Sequence, residues 1–571
     1  MAAGPGRRRR GRAAGTRRTH LDGGGQPVTQ EQLPVLIVGG GPVGLTVANL
    51  LSACGVPVTL VERNAATSDE AKAISLDDES LRTLQRAGLA DAVLDIVVPG
   101  TGTRYFDRKG RPLFHARGPQ PYRHGYSFKN QFAQPELERV LLDALKSQPQ
   151  ADVRFSTELV AVHDRGAESQ VAVAELRASG QPGAATETSR FSWVLGCDGG
   201  RSTVRELLGI GMTGTSHDEV WLVADTVGDH HDERYGMHHA RPGRPTVIVP
   251  GRDGRCRYEF LLHPGEGQKG PADFATTRRL LAPYRDITAE QIERSTNYTF
   301  NAVVADRWRE GRCLLLGDAA HMMPPFAGQG LNSGVRDAAN VAWKIGEVWH
   351  GRAPARLLDT YEQERRPHAT AMVRYSQRLG EVVMTTRKGR ALLRDAVVRM
   401  LLATPPGRRY LTQMRFRPDA RQRDGYVFGA HPLTGTLLPQ PRVLQPPHLR
   451  PVPLDDVLGP GFAVLGVEVP ATAWDALDTP GWSSLTTPIR RVDVVLDDRL
   501  PRAEGDRHAM ADADGALRQA LHTARNRFVL VKPDRYVAAV MDPAGVRDVG
   551  ARLGERGLTF PNRPAGQRPA P

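Results

Sequence analysis

The sequence predicts an α/β fold in which buried parallel strands end in glycine-rich turns. Three short apolar runs carry this prediction, because each is followed directly by a glycine turn. They are Val35–Val38 before Gly39, residues 193–195 before Gly196-Cys197-Asp198-Gly199, and residues 312–316 before Gly317-Asp318. Strands that helices cover on both faces have continuous apolar sequences, whereas half-exposed strands alternate polar and apolar residues.

The first turn has the spacing of a pyrophosphate site. Gly39 permits the tight turn, Gly41 lets the backbone approach a phosphate, and Gly44 lets the following helix pack closely. The amino end of that helix offers free N–H groups to the phosphates. A second strand, Val58–Val61, ends at Glu62, whose carboxylate suits a ribose hydroxyl pair. We interpret this unit as a dinucleotide site, with a purely structural strand–helix turn as the alternative.

The third turn indicates which dinucleotide binds. Asp318 follows a strand, and a carboxylate at the carboxyl end of a parallel strand points into the ligand crevice. There it can accept hydrogen bonds from a polyol such as ribitol. Pro324 breaks the chain, and Gly328 and Gly330 then precede a helix predicted for residues 335–346. N–H groups at that helix end suit the electron-rich edge of a flavin ring.

These three elements, in this order, resemble those of the single-component FAD-dependent aromatic hydroxylases, over about residues 34–430 and more weakly beyond. The resemblance implies a mixed α/β architecture: a Rossmann-like FAD-binding domain, an inserted β-sheet substrate domain and a C-terminal thioredoxin-like domain. It also implies that NADH, or NADPH, reduces FAD, which then reacts with O₂ to a C4a-hydroperoxide that hydroxylates a phenol at the ortho carbon. The residues assigned to FAD by resemblance are Gly39, Gly41, Pro42, Gly44, Glu62, Arg63, Gln134, Asp198, Gly317, Asp318, Pro324, Gly328, Gly330, Leu331 and Asn332.

Within this set, the resemblance places Gln134 near the ribityl chain and Gly330, Leu331 and Asn332 beside the isoalloxazine ring. Lys72 stands where the family often has an arginine, so we assign it no pyrophosphate contact.

Five segments are similar to those of the 3-(3-hydroxyphenyl)propionate and 3-hydroxycinnamate hydroxylases: residues 74–85, 257–260, 264–266, 414–418 and 533–539. The activity implied is the conversion of such a phenolic acid to its 2,3-dihydroxy product in aromatic catabolism. A polyketide-tailoring hydroxylase of the same class is the alternative. A protein that binds FAD without catalysis is a further one.

Few side chains present themselves for catalysis. His321 could be a proton relay or a structural histidine of its turn. Arg257, with Tyr258 beside it, could line the substrate site and pair with a carboxylate, or lie on the solvent face of its strand. Asp77, followed by Asp78, is expected to cap a helix. No metal site is predicted.

Composition excludes some functions. Aromatic and aliphatic content is that of a globular protein, and no apolar run is long enough to cross a membrane. The net charge of +13 is partly due to an Arg-rich start. A disordered tail is expected there, with a nucleic-acid arm as the alternative. The cysteines, Cys54, Cys197, Cys256 and Cys313, lack metal or redox spacing, which favours a cytoplasmic protein. The expected partners are a small phenolic acid, O₂ and a second copy of the chain, without nucleic acid or membrane.

The expected domain organisation is discontinuous. The predicted parts are a disordered tail at 1–33; the FAD-binding domain at 34–103, 130–215 and 303–380; the substrate sheet at 104–129 and 216–302; a helical segment and linker at 381–453; the thioredoxin-like domain at 454–555; and a tail at 556–571.

Overall fold

Three large β-sheets, with six, nine and seven strands, organise the protein. The computed structural model describes residues 19–21, 27–29, 32–70, 72–164, 171–181, 183–268, 270–446, 448–497 and 507–555. The predicted tails at 1–33 and 556–571 lie outside these residues, apart from residues 32 and 33 and a short antiparallel pair, Thr19–Leu21 with Pro27–Thr29.

The six-stranded sheet confirms the predicted α/β fold. Its strands, from edge to edge, are Arg309–Glu310, Cys313–Leu315, Trp193–Gly196, Val35–Val38, Val58–Val61 and Ala151–Arg154. All neighbours are parallel except the first pair. Every residue of the four central strands is buried, as continuous apolar runs predict. The three glycine turns therefore lie side by side at the carboxyl edge of this sheet.

Helices pack beside this sheet and fix its edge. Asn49 of the helix Pro42–Ala53 donates to the carbonyl of Leu141, 2.9 Å away, in the helix Gln134–Lys146. Tyr361 of the long helix Asp359–Val383 donates to the carbonyl of Leu315 at 2.8 Å. Among helices of the described residues, none has the length and apolarity to cross a membrane. The other α-helices before the C-terminal sheet are Asp78–Arg86, Ala90–Leu94, Thr203–Leu207, Phe274–Leu281, Gly330–Trp349, Lys388–Leu402 and Pro405–Thr412.

The nine-stranded sheet forms the predicted substrate domain. One of its faces packs around the helix Phe274–Leu281, and the other packs toward Phe326, just after the third glycine turn. Most of its strands lie within or close to the predicted boundaries of 104–129 and 216–302, whereas His321–Met322 lies in a part predicted for the FAD-binding domain. The strands of this sheet are Thr103–Phe106, Pro112–Ala116, Met212–Thr226, Gly236–His239, Thr246–Pro250, Cys256–Leu261, Gly270–Pro271, Ile292–Ala305 and His321–Met322.

Two smaller sheets accompany the large ones. In one of them Ser75–Asp77 pairs with Lys129–Gln131, and the ammonium of Lys129 donates to Thr103 of the nine-stranded sheet. The other small sheet consists of Thr157–Asp164, Ala172–Ala178 and Glu187–Phe191.

The seven-stranded sheet forms a C-terminal domain that begins earlier than predicted. Two strands, Arg442–Gln445 and His448–Pro453, belong to it although the sequence there reads as a Pro- and Arg-rich linker. The remaining strands are Phe462–Val467, Ile489–Val495, His508–Asp512, Arg527–Val531 and Val537–Met541, with helices Leu454–Leu458, Pro480–Ser483, Ala516–Leu521 and Val546–Leu553. The strand Phe462–Val467 is parallel to one neighbour, Ile489–Val495, and antiparallel to the other, Arg527–Val531. The thioredoxin-like description stays a prediction.

Candidate active site

The first glycine turn is shaped by close backbone contacts. Gly39 has φ +109°, and a Cβ there would lie 2.5 Å from the carbonyl oxygen of Cys197. A Cβ at Gly44 would lie 2.0 Å from the carbonyl oxygen of Gly39. By contrast, a Cβ at Gly41 would meet no atom within 4 Å, so this glycine faces open space. The first and third glycines thus serve the fold, and the second leaves room for a ligand.

The helix that follows this turn is open to an anion. It starts with Pro42 after an N-cap at Gly41, without a side-chain cap and without an acidic residue in its first turn. The N–H groups of that turn are therefore left for a ligand. Glu62 is half-buried beside it, where Oε2 accepts from the Gly40 N–H at 2.7 Å and Oε1 from the Asn64 N–H at 2.9 Å. Arg63 follows and is exposed.

The second turn adjoins the first. Oδ2 of Asp198 accepts from the Val204 N–H at 3.1 Å, while Oδ1 is buried without a hydrogen-bond partner among the described residues. Burial raises the pKa of the Asp198 carboxyl, and the hydrogen bonds that it accepts from Ser202 and from Val204 oppose that rise. A buried oxygen without a donor fits a place where a ligand hydroxyl completes the hydrogen bonding.

In the third turn, the side chain of Asp318 is accessible at the carboxyl edge of the six-stranded sheet, and we call this open region the cleft. Gly317 has φ +59° and packs on Val43 of the first helix. Asp318 is exposed on the cleft side. Protein surrounds it on the other sides, and this burial raises the pKa of its carboxyl, against the charges of His321 and Lys72. An accessible carboxylate at this position suits the polyol chain of a flavin.

The amino end of the helix Gly330–Trp349 is also uncapped. Its N-cap, Gln329, makes no side-chain cap, and its first turn has no acidic residue. Gly328 has φ +61°, and a Cβ at Gly330 would meet nothing within 4 Å. Pro324 precedes the short 3₁₀ turn Pro325–Ala327 that leads into this segment. The helix end therefore presents backbone N–H groups to open space, as a flavin ring requires.

Two residues of the predicted set face the protein instead. Asn332 is fully buried; its Oδ1 accepts from the Asp77 N–H at 2.9 Å and its Nδ2 donates to the Ser75 carbonyl at 3.0 Å. Only its backbone is placed for a ring, whereas Leu331 is half-buried beside it. Gln134 accepts from the Ala73 N–H at 2.7 Å, so it holds the segment around Lys72.

The structure keeps His321 away from the cleft. Its ring is fully buried, with Nε2 2.7 Å from Oδ2 of Asp337 and the indole of Trp308 beside it. Burial alone would raise the pKa of Asp337, but His321 and Arg365 lower it. His321 therefore stabilises the third turn from the protein interior. This agrees with a structural histidine, the alternative to a proton relay.

Tyr258 and Arg257 lie on opposite faces of their strand. Tyr258 points to the far core and donates to Asp229 at 2.6 Å; burial raises the pKa of its hydroxyl. That core also contains Asp229, His231 and Cys256, a group with metal-ligand spacing, but Asp229 already pairs with Arg285 at 3.1 Å.

Arg257 is buried on the inner face, so the solvent-face alternative is wrong, while a role in the substrate site stays a prediction. The guanidinium forms two hydrogen bonds to Asp225, at 2.7 and 2.9 Å, and one to the Lys72 carbonyl at 2.8 Å. It lines a cavity of about 220 Å³ beside Phe132.

The helix cap predicted at Asp77 is confirmed, because Asp77 accepts a hydrogen bond from the Ser80 N–H at 3.0 Å at the start of the helix Asp78–Arg86.

A narrow cavity of about 20 Å³ lies between the segment before Gly330 and the inner face of the nine-stranded sheet. Four aromatic side chains line it, together with polar residues, the cations Lys129 and Arg417 and the carboxylate of Asp77. Sequence reasoning missed most of these side chains, although Met414 and Arg417 fall in a segment that it singled out. Among the residues that line the cavity are Thr103, Tyr105, Phe128, Lys129, Phe326, Tyr375, Met414 and Arg417.

Comparison with known families agrees with this geometry. A family model described as the FAD binding domain matches residues 32–376. The chain belongs to this FAD-binding family. A second model, the HcaD C-terminal domain, matches residues 435–556, in agreement with the early start of the C-terminal sheet.

Relatives of this FAD-binding protein are hydroxylases. One from Mycolicibacterium gilvum, named 3-(3-hydroxy-phenyl)propionate/3-hydroxycinnamic acid hydroxylase, is 38% identical over 89% of each chain. One of the same name from Klebsiella pneumoniae is 35% identical over 92% of this chain and 95% of its own. The protein is an FAD-dependent aromatic hydroxylase, and the uncapped helix ends, the open glycines and Asp318 fit that cofactor.

Solved structures share the fold. The flavin-dependent monooxygenase PieE, in complex with FAD and substrate, has a TM-score of 0.73 at 23% identity, covering 92% of this chain and 98% of its own. CabE, an aromatic hydroxylase from angucycline biosynthesis, has a TM-score of 0.70 at 25% identity, covering 89% and 96%.

Proposed function

We propose that the enzyme hydroxylates 3-(3-hydroxyphenyl)propionate, and its 3-hydroxycinnamate analogue, at the ring carbon ortho to the phenol. NADH supplies two electrons; one atom of O₂ enters the ring and the other leaves as water. The observation that carries the proposal is an aromatic cavity with an ammonium group, Lys129, beside the open end of the helix Gly330–Trp349. The names of the relatives at 35–38% identity support the same substrates.

The two cations of the cavity differ in what they already bind. Arg417 is engaged: it donates to Asp77 at 3.0 Å and lies over the ring of Phe128. Lys129 donates to the hydroxyl of Thr103 at 2.7 Å and forms no ion pair with a carboxylate of the described residues. Its remaining N–H groups suit the carboxylate of a phenolic acid, which a neutral phenol lacks.

A hydroxyl of the cavity is suited to the phenol. The Tyr375 hydroxyl is buried without a hydrogen-bond partner among the described residues. Burial raises its pKa to about 12, so it stays protonated and donates to a phenol or phenolate oxygen. The phenol proton must leave as oxygen adds to the ring, and a donor at this position would stabilise the phenolate.

Bound FAD supplies the activated oxygen, and the protein supplies position and a water-poor site. The cavity is smaller than a phenolic acid, so side chains must move when the ring enters. Met414 and Phe326 are the candidates, since methionine adapts readily to a new neighbour.

The experiment compares the phenolic acid with 3-ethylphenol, which has the same ring but no carboxylate. The unmodified enzyme should favour the acid, and Lys129→Met should lose about 1.5–3 kcal/mol of that preference, roughly 10- to 100-fold in kcat/KM. Lys129→Arg retains the charge and should retain part of the preference.

Lys109→Met, at an exposed lysine of a turn, is the matched control and should leave the preference unchanged. An equal loss for both substrates in Lys129→Met would show that Lys129 does not recognise the carboxylate. A wild-type enzyme without preference for the acid would overturn the substrate class itself.

The cellular setting is also proposed. Three of the four thiols, those of Cys197, Cys256 and Cys313, are buried, and the described cysteines form no disulfide. This supports a reducing compartment, the cytoplasm, where NADH is supplied. Fractionation of cells that express the protein checks the location. A homodimer is supported by an exposed apolar stripe on the helix Lys388–Leu402.

A further inference from the structure

Two segments that the sequence singled out, residues 74–85 and 533–539, meet where the FAD-binding domain contacts the C-terminal domain. The helix Asp78–Arg86 of the FAD-binding domain faces the turn 532–536 of the C-terminal domain. A cavity of about 30 Å³ lies between them. This is room for a water molecule or for a single small ion.

The lining of this cavity is rich in guanidinium groups. Five arginines line it, against two carboxylates, Glu79 and Asp534. The arginines are Arg82, Arg86, Arg336, Arg365 and Arg535.

Three of the five arginines donate hydrogen bonds to carboxylates. Arg82 forms two hydrogen bonds to Asp455, at 2.8 and 2.7 Å. Arg336 is bonded to Glu79 and to Asp77. Arg365 donates to Asp337 at 2.9 Å. The carboxylates compensate the charges of these three arginines, so none of them needs a further anion.

The other two arginines have buried donors without acceptors. Nε and Nη1 of Arg86 make no hydrogen bond to any described residue, and neither does Nη1 of Arg535. Arg535 is 2% exposed and binds the Gly459 carbonyl through Nη2, while its Nε lies 3.2 Å from Asp455, which Arg82 already occupies. Nε2 of Gln422, which also lines the cavity, is a further donor without an acceptor.

Neither carboxylate of the lining serves these donors. Oδ2 of Asp534 accepts from Asn340 at 2.9 Å and lies 3.9 Å from the Lys532 ammonium. Glu79 is bonded to Arg336. Burial lowers the pKa of Arg535 to about 10, against the charge of Asp455, and the charges of Arg86 and Arg82 lower it further.

The backbone at Arg535 adds an independent observation. Arg535 has φ +68°, in the left-handed region that glycine adopts without strain. Arg535 thus combines a backbone conformation that is uncommon for a residue with a side chain with nearly complete burial.

We propose that the cavity binds one monovalent inorganic anion of chloride size, held by Arg86, Arg535 and Gln422. The anion bridges the helix Asp78–Arg86 and the turn 532–536, and thus fastens the C-terminal domain to the FAD-binding domain. Each of the three side chains donates N–H groups, which match the acceptor-only chemistry of a halide. A water would use its lone pairs there and would leave the positive charge uncompensated.

Bromide tests the site on the unmodified holoenzyme. Crystals grown in sodium bromide should show an anomalous difference peak within hydrogen-bond distance of Nη1 of Arg535 and of the Arg86 guanidinium. Density for water without an anomalous signal, from crystals that show bromide elsewhere on the surface, would overturn the proposal. This result does not depend on the folding of any variant.

The second test measures what the anion does. The Tm of the holoenzyme should be higher in sodium chloride than in sodium gluconate at equal ionic strength, by roughly 2 °C, because a ligand of the folded state stabilises it and gluconate is too large for the cavity. Arg86→Gln should abolish this difference. Arg525→Gln, at an exposed arginine of the C-terminal domain, should retain it. Equal Tm in both salts, or a difference that survives in Arg86→Gln, would contradict the proposal.

Discussion

At the scale of single residues, the glycines of the first turn and Lys129 illustrate two different constraints. Gly39 and Gly44 are fixed by backbone atoms within 2.5 Å of where a Cβ would stand. Lys129 is fixed by its neighbours: it is held by Thr103 in a cavity of aromatic side chains. The glycines can be predicted because the turn geometry demands them locally. Lys129 lies in a short strand whose partner strand is more than fifty residues away along the chain. No local sequence pattern therefore predicts where its side chain lies.

The pH dependence of catalysis should report on Lys129. Burial lowers the pKa of this ammonium to about 8, against the charge of Glu259. A substrate carboxylate stays ionised throughout the neutral and alkaline range, so binding needs the protonated lysine. We expect kcat/KM for the phenolic acid to be level below about pH 8 and to fall as the pH rises above it. Steady-state kinetics from pH 6.5 to 9.5 measure this.

Lys129→Arg is the control for that profile, because a guanidinium remains charged across the range. Its kcat/KM should not fall near pH 8. A wild-type value that rises through pH 8 would instead identify the neutral amine as a base, and an equal fall in both proteins would assign the titration to another group.

His321 and Asn332 show why side-chain roles are harder to predict than turns. Both belong to segments that the sequence predicts to lie at the flavin end of the site. Their side chains, however, are fully buried, bonded to Asp337 in one case and to Ser75 and Asp77 in the other. Those partners come from other parts of the chain, so spacing along the sequence does not reveal them.

At the scale of elements, two uncapped helix ends that adjoin glycine turns fit the predicted cofactor site. The helices Pro42–Ala53 and Gly330–Trp349 both begin without a side-chain cap and without a first-turn acid. Most helices stabilise their first N–H groups with Ser, Thr, Asp or Asn. The helices Asp78–Arg86 and Phe274–Leu281 of this protein do so, with Asp77 and Asp273. This difference can be predicted from the sequence, because Gly41 is the N-cap of the first helix and Gly330 is the first residue of the second.

Strand prediction was good where strands are apolar and poor where they are not. Val35–Val38 and Val58–Val61 have the predicted bounds. The pair Arg442–Gln445 and His448–Pro453 was read as a linker because it contains arginine and proline. It forms the edge of its sheet, where proline is tolerated since one side of the strand needs no partner.

The helix Lys388–Leu402 should form a dimer contact. Leu393, Val397 and Met400 recur along one side of it and are 65%, 40% and 64% exposed. Such a stripe is costly in water, and a second copy of the chain would cover it. We expect the purified protein to be a dimer at micromolar concentration by light scattering. The double variant Leu393→Asp, Met400→Asp should be a monomer.

Lys388→Asp alters the charge of the same helix at an exposed polar position and should remain dimeric. A monomeric wild-type protein would remove the basis for a dimer, and a double variant that stays dimeric would place the interface elsewhere.

At the scale of the whole molecule, three sheets divide the work. The six-stranded sheet aligns the three turns for FAD, the nine-stranded sheet walls the cavity, and the C-terminal domain docks through buried ion pairs such as Arg82 with Asp455. The order of the three turns could be predicted because the parallel strands share one carboxyl edge. The docking could not, since it joins side chains more than 350 residues apart.

We expect the FAD-binding turns and the cavity beside them to hydroxylate a phenolic acid. The most direct measurement follows NADH, O₂ and products when the purified, FAD-loaded enzyme meets 3-(3-hydroxyphenyl)propionate under ¹⁸O₂. We predict that the substrate stimulates NADH oxidation and that each NADH and O₂ consumed yields one 2,3-dihydroxy product with a single ¹⁸O atom. Unstimulated NADH oxidation without that product, or hydrogen peroxide formed in its place, would contradict the claim.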